Sequence, residues 1–176
     1  MKIKVLPRCY FAEIMGTPKE IELLETHRII SMNSSGGTTA MPPFSDLRSK
    51  NLLGQTVDDI VWKIRGMTLF NKDHASQIWN FVANSDLPIL IHCHAGISRS
   101  GAVGEVLNWY LNSFLQQNCD DFAAFYREHP QLEPNPHILT VLLEELDRRL
   151  AMKNGSCLVR LKKELEKTKN YPQEGK

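Results

Sequence analysis

The segment that most constrains the fold of this chain is Ile89–Cys93, which follows Pro88 and reads ILIHC. Apolar residues in unbroken succession are typical of a short strand buried on both faces of a parallel sheet. Parallel strands need long crossover connections, which are usually helices. The segment therefore predicts an α/β fold in which helices cover both faces of a central sheet.

Patterns elsewhere in the chain supply the other elements of such a fold. Short β-branched or apolar runs predict strands over residues 3–7, 27–32 and 51–57. Thr17 and Glu20 form a capping-box pattern, and Asn71 and Asn135 stand where helix caps are expected. Helices are predicted over residues 18–26, from residue 71, from about residue 99 to 114, over 121–129 and over 136–151. We expect a single α/β domain with a central, mainly parallel sheet of about four or five strands.

Composition and charge exclude several classes of protein. Lys and Arg number 21 against 20 for Asp and Glu, so the formal net charge is +1 and gives no bulk attraction to nucleic acid or anionic membrane. The sequence has no apolar run of membrane-spanning length, and its first residues lack the apolar core of a secretion signal. Cysteines 9, 93, 119 and 157 are scattered, so we expect free thiols and a cytoplasmic protein.

A loop of small residues follows the buried strand and leads directly into an amphipathic helix. The sequence from His92 to Gly101 is HCHAGISRSG. A turn of this kind at a helix N-terminus directs several backbone N–H groups into one concavity, which favours an anion. Cys93 lies at the end of the strand, beneath that concavity, so the same N–H groups should stabilise its thiolate.

Two further side chains complete a chemical mechanism for this loop. Arg99 can return over the loop and offer a planar fork of donors to two oxygens of a phosphoryl group. Ser100 follows it, so that its hydroxyl can donate to the sulfur of Cys93 when the sulfur leaves. Phosphoryl transfer through a cysteinyl-phosphate would then proceed as two displacements.

This pattern resembles the signature of the cysteine-dependent protein tyrosine phosphatases, in which Cys and Arg are separated by five residues. Its His-Cys start and Ser-Arg-Ser end resemble the dual-specificity branch in particular. Pro134-Asn135 also resembles the helix start found after the signature, together with Ile138, Leu142 and Glu145. The resemblance covers about residues 27–146 and favours the compact members, because the phosphotyrosine-recognition motif of the larger enzymes has no counterpart.

The resemblance implies a fold and an activity. It implies a catalytic domain over residues 1–151, with 152–176 as a charged C-terminal tail or helix. The expected reaction is hydrolysis of phosphotyrosine without metal or other cofactor. Part of the family also hydrolyses phosphoserine and phosphothreonine. The expected partner is a phosphorylated protein or peptide substrate. We expect the chain itself to be a monomer. The phosphate-binding loop would comprise His94, Ala95, Gly96, Ile97, Ser98 and Arg99.

The family also uses an aspartate as general acid, some thirty residues before the cysteine. Val57-Asp58-Asp59 resembles the family's pattern, and Asp59 stands 34 residues before Cys93. We select Asp59, with Asp58 as the alternative. The Trp-Pro pair of the larger enzymes is absent. The remaining aspartates considered are Asp46, Asp86 and Asp73, the last of which is better explained as capping a helix.

Other interpretations of the same residues remain open. His92 and His94 flank Cys93, but successive strand residues point to opposite faces and no Cys/His cluster completes a site, so we expect no metal site and assign His92 to supporting the loop. The fold could instead act on an RNA 5′ phosphate or an inositol phosphate, although the loop lacks the lysines of lipid-acting relatives. It could also be an inactive phosphoresidue-binding module. Residues 33–44 form either a plain connection or a pocket wall, and another cysteine could pair with oxidised Cys93.

Overall fold

The computed structural model describes residues 2–36, 49–83, 86–116 and 122–169, and its centre is a parallel four-stranded sheet. The strands in chain order are β1 (Ile3–Pro7), β2 (Arg28–Asn33), β3 (Leu52–Thr56) and β4 (Ile89–Cys93). In the sheet they lie in the order β1-β4-β2-β3. The strand predicted from the ILIHC run is therefore interior, with β1 and β2 as its neighbours, and the predicted α/β fold is confirmed.

Seven α-helices and one π-helical segment connect and cover these strands among the described residues. The helices are α1 (Arg8–Ala12), α2 (Pro18–Thr26), α3 (Lys72–Val82), α4 (Arg99–Asn108), α5 (Phe122–Glu128), α6 (Pro136–Arg149) and α7 (Ser156–Lys169). The π-helical segment spans Trp109–Phe114 and continues α4. None of the described helices has the length and apolar character that crossing a bilayer requires.

The helices divide between the two faces of the sheet. On one face α1 and α2 bury a small core with Phe11, Leu24, Ile29 and Leu90. On the other face α3 to α7 enclose the main core, which includes Ile30, Ile91 and Cys93 from the sheet. β4 pairs with β1 on one side and with β2 on the other, and together these pairings hold every residue of β4 in place. This arrangement gives the end of β4 a rigid base.

Two of the three predicted helix caps are present in the structure. Asn71 caps α3 in a full capping box with His74, and the Asn135 side chain accepts from the first N–H groups of α6. Thr17 does not cap α2: its hydroxyl donates to the Ile14 carbonyl, and Glu20 accepts instead from the Gly16 N–H at 2.7 Å. The expected Thr17–Glu20 box is thus wrong, because the preceding turn offers both side chains other partners.

The C-terminal helix α7 packs on α6 and contributes to the main core. Cys157 and Leu161 are 0% and 1% exposed. The Asp147 carboxylate of α6 accepts from the N–H groups of Gly155 and Cys157, at 2.7 and 2.9 Å, and so stabilises the start of α7. Helix α7 (Ser156–Lys169) is therefore joined to the fold by an apolar face and a cap.

Candidate active site

The centre of the site is the turn from β4 into α4. Cys93 ends β4, is 3% exposed, and is followed by the loop 94–98, after which Arg99 begins α4. Gly96 has φ +71°, and a Cβ there would lie 2.7 Å from the Pro7 nitrogen and 2.8 Å from the Leu6 carbonyl carbon. The loop therefore folds tightly against the end of β1 only because residue 96 is glycine.

The Cys93 thiol lies in an environment that favours its ionised form. Burial raises its pKa, but hydrogen bonds from the Ser100 hydroxyl and from three backbone N–H groups outweigh burial and lower the pKa below its usual value. Ser100 Oγ lies 3.1 Å from Cys93 Sγ. The backbone donors belong to Gly96, Ile97 and Ser100. Such a thiol carries nucleophilic thiolate at lower pH than an ordinary cysteine does.

Arg99 is buried, at 5% exposed, and its guanidinium connects the loop to the residue that follows the end of β3. Its Nη1 donates to the Val57 carbonyl at 2.8 Å and to Ser34 Oγ at 2.9 Å. Its Nε is buried and has no hydrogen-bond partner within the described ranges. A buried guanidinium donor is costly to leave unmatched, so this donor fits an oxyanion.

The two neighbouring aspartates have different surroundings. Asp58 is 4% exposed, and its carboxylate accepts from the Ser35 N–H and hydroxyl and from the Thr68 N–H. Burial raises the pKa of Asp58, but these hydrogen bonds, with the charge of Arg99, lower it overall. Asp58 is therefore a structural acceptor, and it is poorly suited to donate a proton.

Asp59 is exposed and lies against the loop. Its Oδ1 accepts from the Ser98 hydroxyl at 2.8 Å and from Asn135 Nδ2 at 2.8 Å. Asn135 is itself tied to the loop, because its N–H donates to the Ser98 carbonyl at 3.2 Å. Asn135 thus fastens Asp59, the loop and the start of α6 together. The sequence marks this residue only as a helix cap, and nothing local to it signals a partner 76 residues away.

The two histidines beside Cys93 have separate positions. His92 is fully buried, with its ring centroid 4.5 Å from that of Phe11, and burial together with the charges of Arg8 and Arg99 lowers its pKa to about 4. His94 is exposed, and its carbonyl accepts from the Arg8 N–H at 3.2 Å. The two rings therefore differ in environment, since His92 is buried within β4 and His94 is exposed just beyond the end of the strand. No trio of His, Cys, Asp or Glu gathers as metal ligands would in the described ranges.

Several other residues considered from the sequence are not brought to the loop or cannot be placed. Asp73 lies in the first turn of α3, where its N–H donates to the Asn71 side chain. Cys9 is exposed and Cys157 buried, and both are free thiols, as is Cys93. Asp46, Cys119 and residues 37–44 of the 33–44 loop lie outside the described residues.

Comparison with known proteins identifies the fold. The human tyrosine phosphatase-like serine/threonine/tyrosine-interacting protein is similar with a TM-score of 0.55 and 19% identity over 84% of this chain and 93% of that one. Human DUSP28 gives a TM-score of 0.45 and 17% identity, over 85% and 94%. The Yvh1 phosphatase domain from Chaetomium thermophilum gives 0.39 and 18%, over 74% and 84%.

These values establish a shared fold with the first of the three structures. No protein-family model matches the chain. No curated protein sequence matches it. The resemblance to tyrosine phosphatases that the sequence suggested is thus confirmed at the level of the fold.

Proposed function

Starting from the fold shared with a tyrosine phosphatase-like protein, we propose that this chain is a metal-independent phosphatase acting on phosphotyrosine in proteins. The observation that carries the proposal is the Cys93 thiol, whose pKa is lowered by Ser100 and by loop N–H groups. The buried, unmatched Nε of Arg99 supports it, because it is a donor for a bound phosphoryl group. Phosphoserine and phosphothreonine are further substrates of the same chemistry.

In the first step the loop N–H groups and Arg99 hold the phosphoryl oxygens while the sulfur of Cys93 attacks phosphorus. The S–P bond forms as the bond from phosphorus to the tyrosine oxygen breaks, and Asp59 gives its proton to that oxygen. Because Oδ1 of Asp59 already accepts two hydrogen bonds, Oδ2 is the oxygen suited to carry the proton. General acid help of this kind contributes roughly 10²–10⁴-fold.

In the second step water attacks the cysteinyl-phosphate. The Asp59 carboxylate takes a proton from the water, the P–S bond breaks, and inorganic phosphate leaves. The Ser100 hydroxyl, 3.1 Å from the sulfur, donates to the departing thiolate and makes it a better leaving group. The same hydrogen bond that lowers the thiol pKa thus serves the second displacement.

A phosphoresidue-binding module is the second candidate. The name of the similar human protein describes it as tyrosine phosphatase-like and as serine/threonine/tyrosine-interacting. A protein with this fold can therefore be described by binding and not by catalysis. The Ser100 contact to the sulfur favours catalysis, because a module that only binds has no need to stabilise a departing thiolate. RNA 5′ phosphates and inositol phosphates fit less well, since His94–Ser98 brings no lysine to the loop.

Hydrolysis of an aryl phosphate in the presence of EDTA tests the proposal. We expect turnover that vanadate inhibits, and we expect Cys93→Ser to abolish turnover while phosphate binding persists. Cys9→Ser, which removes an exposed thiol, is the matched control and should retain activity. Turnover by Cys93→Ser, or none by the unaltered chain, would contradict a cysteine-dependent phosphatase.

The general acid is tested by varying the leaving group. Asp59→Asn should lower kcat by roughly 10²–10⁴-fold with phenyl phosphate, and by less with p-nitrophenyl phosphate, whose leaving group needs little protonation. Asp73→Asn removes another exposed carboxylate, in the first turn of α3, and should leave both rates near their original values. An equal loss with both esters would assign Asp59 a structural role instead.

A further inference from the structure

The segment that begins at Asp59 forms a loop closed at its base. The Asp58 N–H donates to the Thr68 carbonyl at 2.8 Å, and the Thr68 N–H donates to Asp58 Oδ2 at 2.7 Å. Inside the loop the Met67 N–H donates to the Ile64 carbonyl at 3.2 Å. These bonds bring the two ends of the 59–67 loop together and hold its shape, as in compact surface loops.

The tip of the 59–67 loop presents large apolar side chains to solvent. Trp62 is 67% exposed, Val61 39% and Met67 40%. Seven large hydrophobic residues are exposed in the described part of the chain, and three of them are in this loop. The other two tryptophans, Trp79 and Trp109, are buried in the core. A concentration of exposed apolar side chains on one rigid loop indicates a surface that binds a partner.

The tip is also cationic. Lys63 and Arg65 are exposed and alternate with Trp62 and Ile64, and residues 60–67 contain no acidic side chain. Along the sequence, the nearest carboxylates are at the base of the loop, where Asp58 accepts from Ser35 and Thr68 and Asp59 accepts from Ser98 and Asn135. The charge of the tip therefore complements an acidic partner.

The 59–67 loop lies at the rim of the candidate active site. Asp59 is bonded to Ser98 of the phosphate loop, and Asn135 Nδ2 lies 3.4 Å from the Ile60 carbonyl oxygen. Trp62 is three residues beyond Asp59, so their Cα atoms are separated by at most roughly 11 Å. A phosphoresidue bound over Cys93 would place its neighbours, one to three residues away in the substrate, within reach of the tip.

We propose that the tip of the 59–67 loop is a specificity surface that binds the substrate peptide beside its phosphoresidue. Lys63 and Arg65 pair with acidic residues of that peptide, and Trp62 with Val61 packs on an apolar one. The inference rests on the proposed function and adds the substrate class: phosphotyrosine in an acidic, partly apolar sequence.

Two other partners share part of this chemistry but fit less well. An aromatic side chain between cations can stack on a nucleotide base, and it can also enter an anionic membrane surface. Stable attraction to anionic lipid takes clusters of about four to eight Lys or Arg, whereas this tip has two and the whole chain is nearly neutral. A short acidic peptide needs only the two cations present.

Two phosphotyrosine peptides that differ only in their flanks test the inference. One has acidic flanks with a leucine, and the other has the acids replaced by their amides. We expect kcat/KM to be about tenfold higher for the acidic peptide, and this ratio to fall below one in Lys63→Glu/Arg65→Glu, where like charges meet. Each value is normalised to the same variant's rate on p-nitrophenyl phosphate. Lys19→Glu/Ile21→Ala, on exposed positions of α2, is the control and should keep the ratio.

A binding measurement separates failure of this inference from failure of the proposed function. Because Trp62 is exposed while Trp79 and Trp109 are buried, the acidic peptide should change the tryptophan emission of Cys93→Ser, and Trp62→Phe should abolish that change. If the unaltered chain shows no turnover but binds the acidic peptide more tightly than the amide peptide, the result would support the specificity surface and contradict the proposed phosphatase activity. Equal kcat/KM and equal affinity for both peptides would overturn the surface. So would tighter binding of a 5′-phosphorylated oligonucleotide or of phosphatidylserine vesicles through Trp62.

Discussion

At the scale of single residues, the contact between Ser100 and Cys93 has the clearest consequence. Burial alone would raise the pKa of the Cys93 thiol, and the Ser100 hydroxyl is the largest of the effects that lower it. Ser100→Ala removes that donor from a buried sulfur. We expect the thiol pKa to rise and the reactive thiolate to form only at higher pH, with slower release of phosphate from the cysteinyl-phosphate.

The pH dependence of alkylation by iodoacetamide, followed at the Cys93 peptide by mass spectrometry, measures this change. Cys157 is an internal reference, because burial and the adjacent Asp147 raise its pKa to about 12. It should stay largely unmodified in both proteins. An unchanged alkylation profile in Ser100→Ala would mean that the loop N–H groups alone stabilise the thiolate.

The sequence could predict those site contacts that depend on a short stretch of chain. Cys93 and Ser100 are seven residues apart across one turn, and a strand–loop–helix brings them together. It could not predict that Asn135 holds Asp59, or that Asp58 closes a loop with Thr68, because tertiary packing decides both contacts. Nor could it predict that the His129 ring is buried, at 6% exposed, because its contact with Val5 also depends on tertiary packing.

At the scale of elements, the turn from β4 to α4 depends on the contact of Gly96 with the end of β1. A methyl group at residue 96 would meet backbone atoms of Leu6 and Pro7 at 2.7–2.9 Å, and its positive φ is unfavourable for alanine. The φ alone costs about 1–2 kcal/mol, and the clash adds to it because backbone cannot move aside cheaply. We expect Gly96→Ala to lower the free energy of unfolding by more than about 2 kcal/mol and to disrupt the loop.

Urea denaturation, together with turnover on p-nitrophenyl phosphate, measures both effects. Gly54→Ala is the matched control, because a Cβ at residue 54 of β3 would have nothing within 4 Å. That variant should unfold within about 0.5 kcal/mol of the original protein. Gly96→Ala with unaltered stability and activity would show that β1 can move away from the loop.

The elements themselves follow closely from patterns in the sequence. The strand and helix bounds predicted from apolar runs and caps agree with the structure to within a few residues, as for 136–151 against Pro136–Arg149. The π-helical turns of Trp109–Phe114 were not predicted, because the apolar spacing continues through them as it would in an α-helix. Propensity and spacing determine that a helix exists, whereas packing determines its winding.

At the scale of the whole molecule, Glu145 joins helices that surround the main core. Its carboxylate is 2.6 Å from Arg148 Nη2 and 2.8 Å from Arg149 Nε, and Arg149 also bonds Ser76 and Asn80 of α3. The hydrogen bond from Arg148, ahead of the opposing effect of burial, lowers the pKa of Glu145 to about 2, and Arg149 adds to it. A carboxyl with a lower pKa in the folded state stabilises the protein at pH above the unfolded value.

We therefore expect Glu145→Gln to lower the free energy of unfolding by about 1 kcal/mol near neutral pH, since Arg148 is largely exposed. That difference between the two proteins should shrink as the pH falls from about 4.5 to about 2, because Glu145 becomes protonated in the original protein. Urea unfolding across this pH range measures it. Glu144→Gln removes a neighbouring carboxylate with the same change in charge and serves as the control. A difference independent of pH would contradict the linkage.

The outer margin of the sheet at β1 has a consequence for contacts between molecules. The Val5 N–H, which points away from β4, donates to Nε2 of His129 at 3.0 Å, and Nδ1 of the same ring lies 2.8 Å from the Phe125 carbonyl oxygen. Lys2 and Glu128 form a further contact at this margin. A strand arriving from another protein would find that amide already engaged, so growth of the sheet by recruitment of foreign strands is blocked at this position.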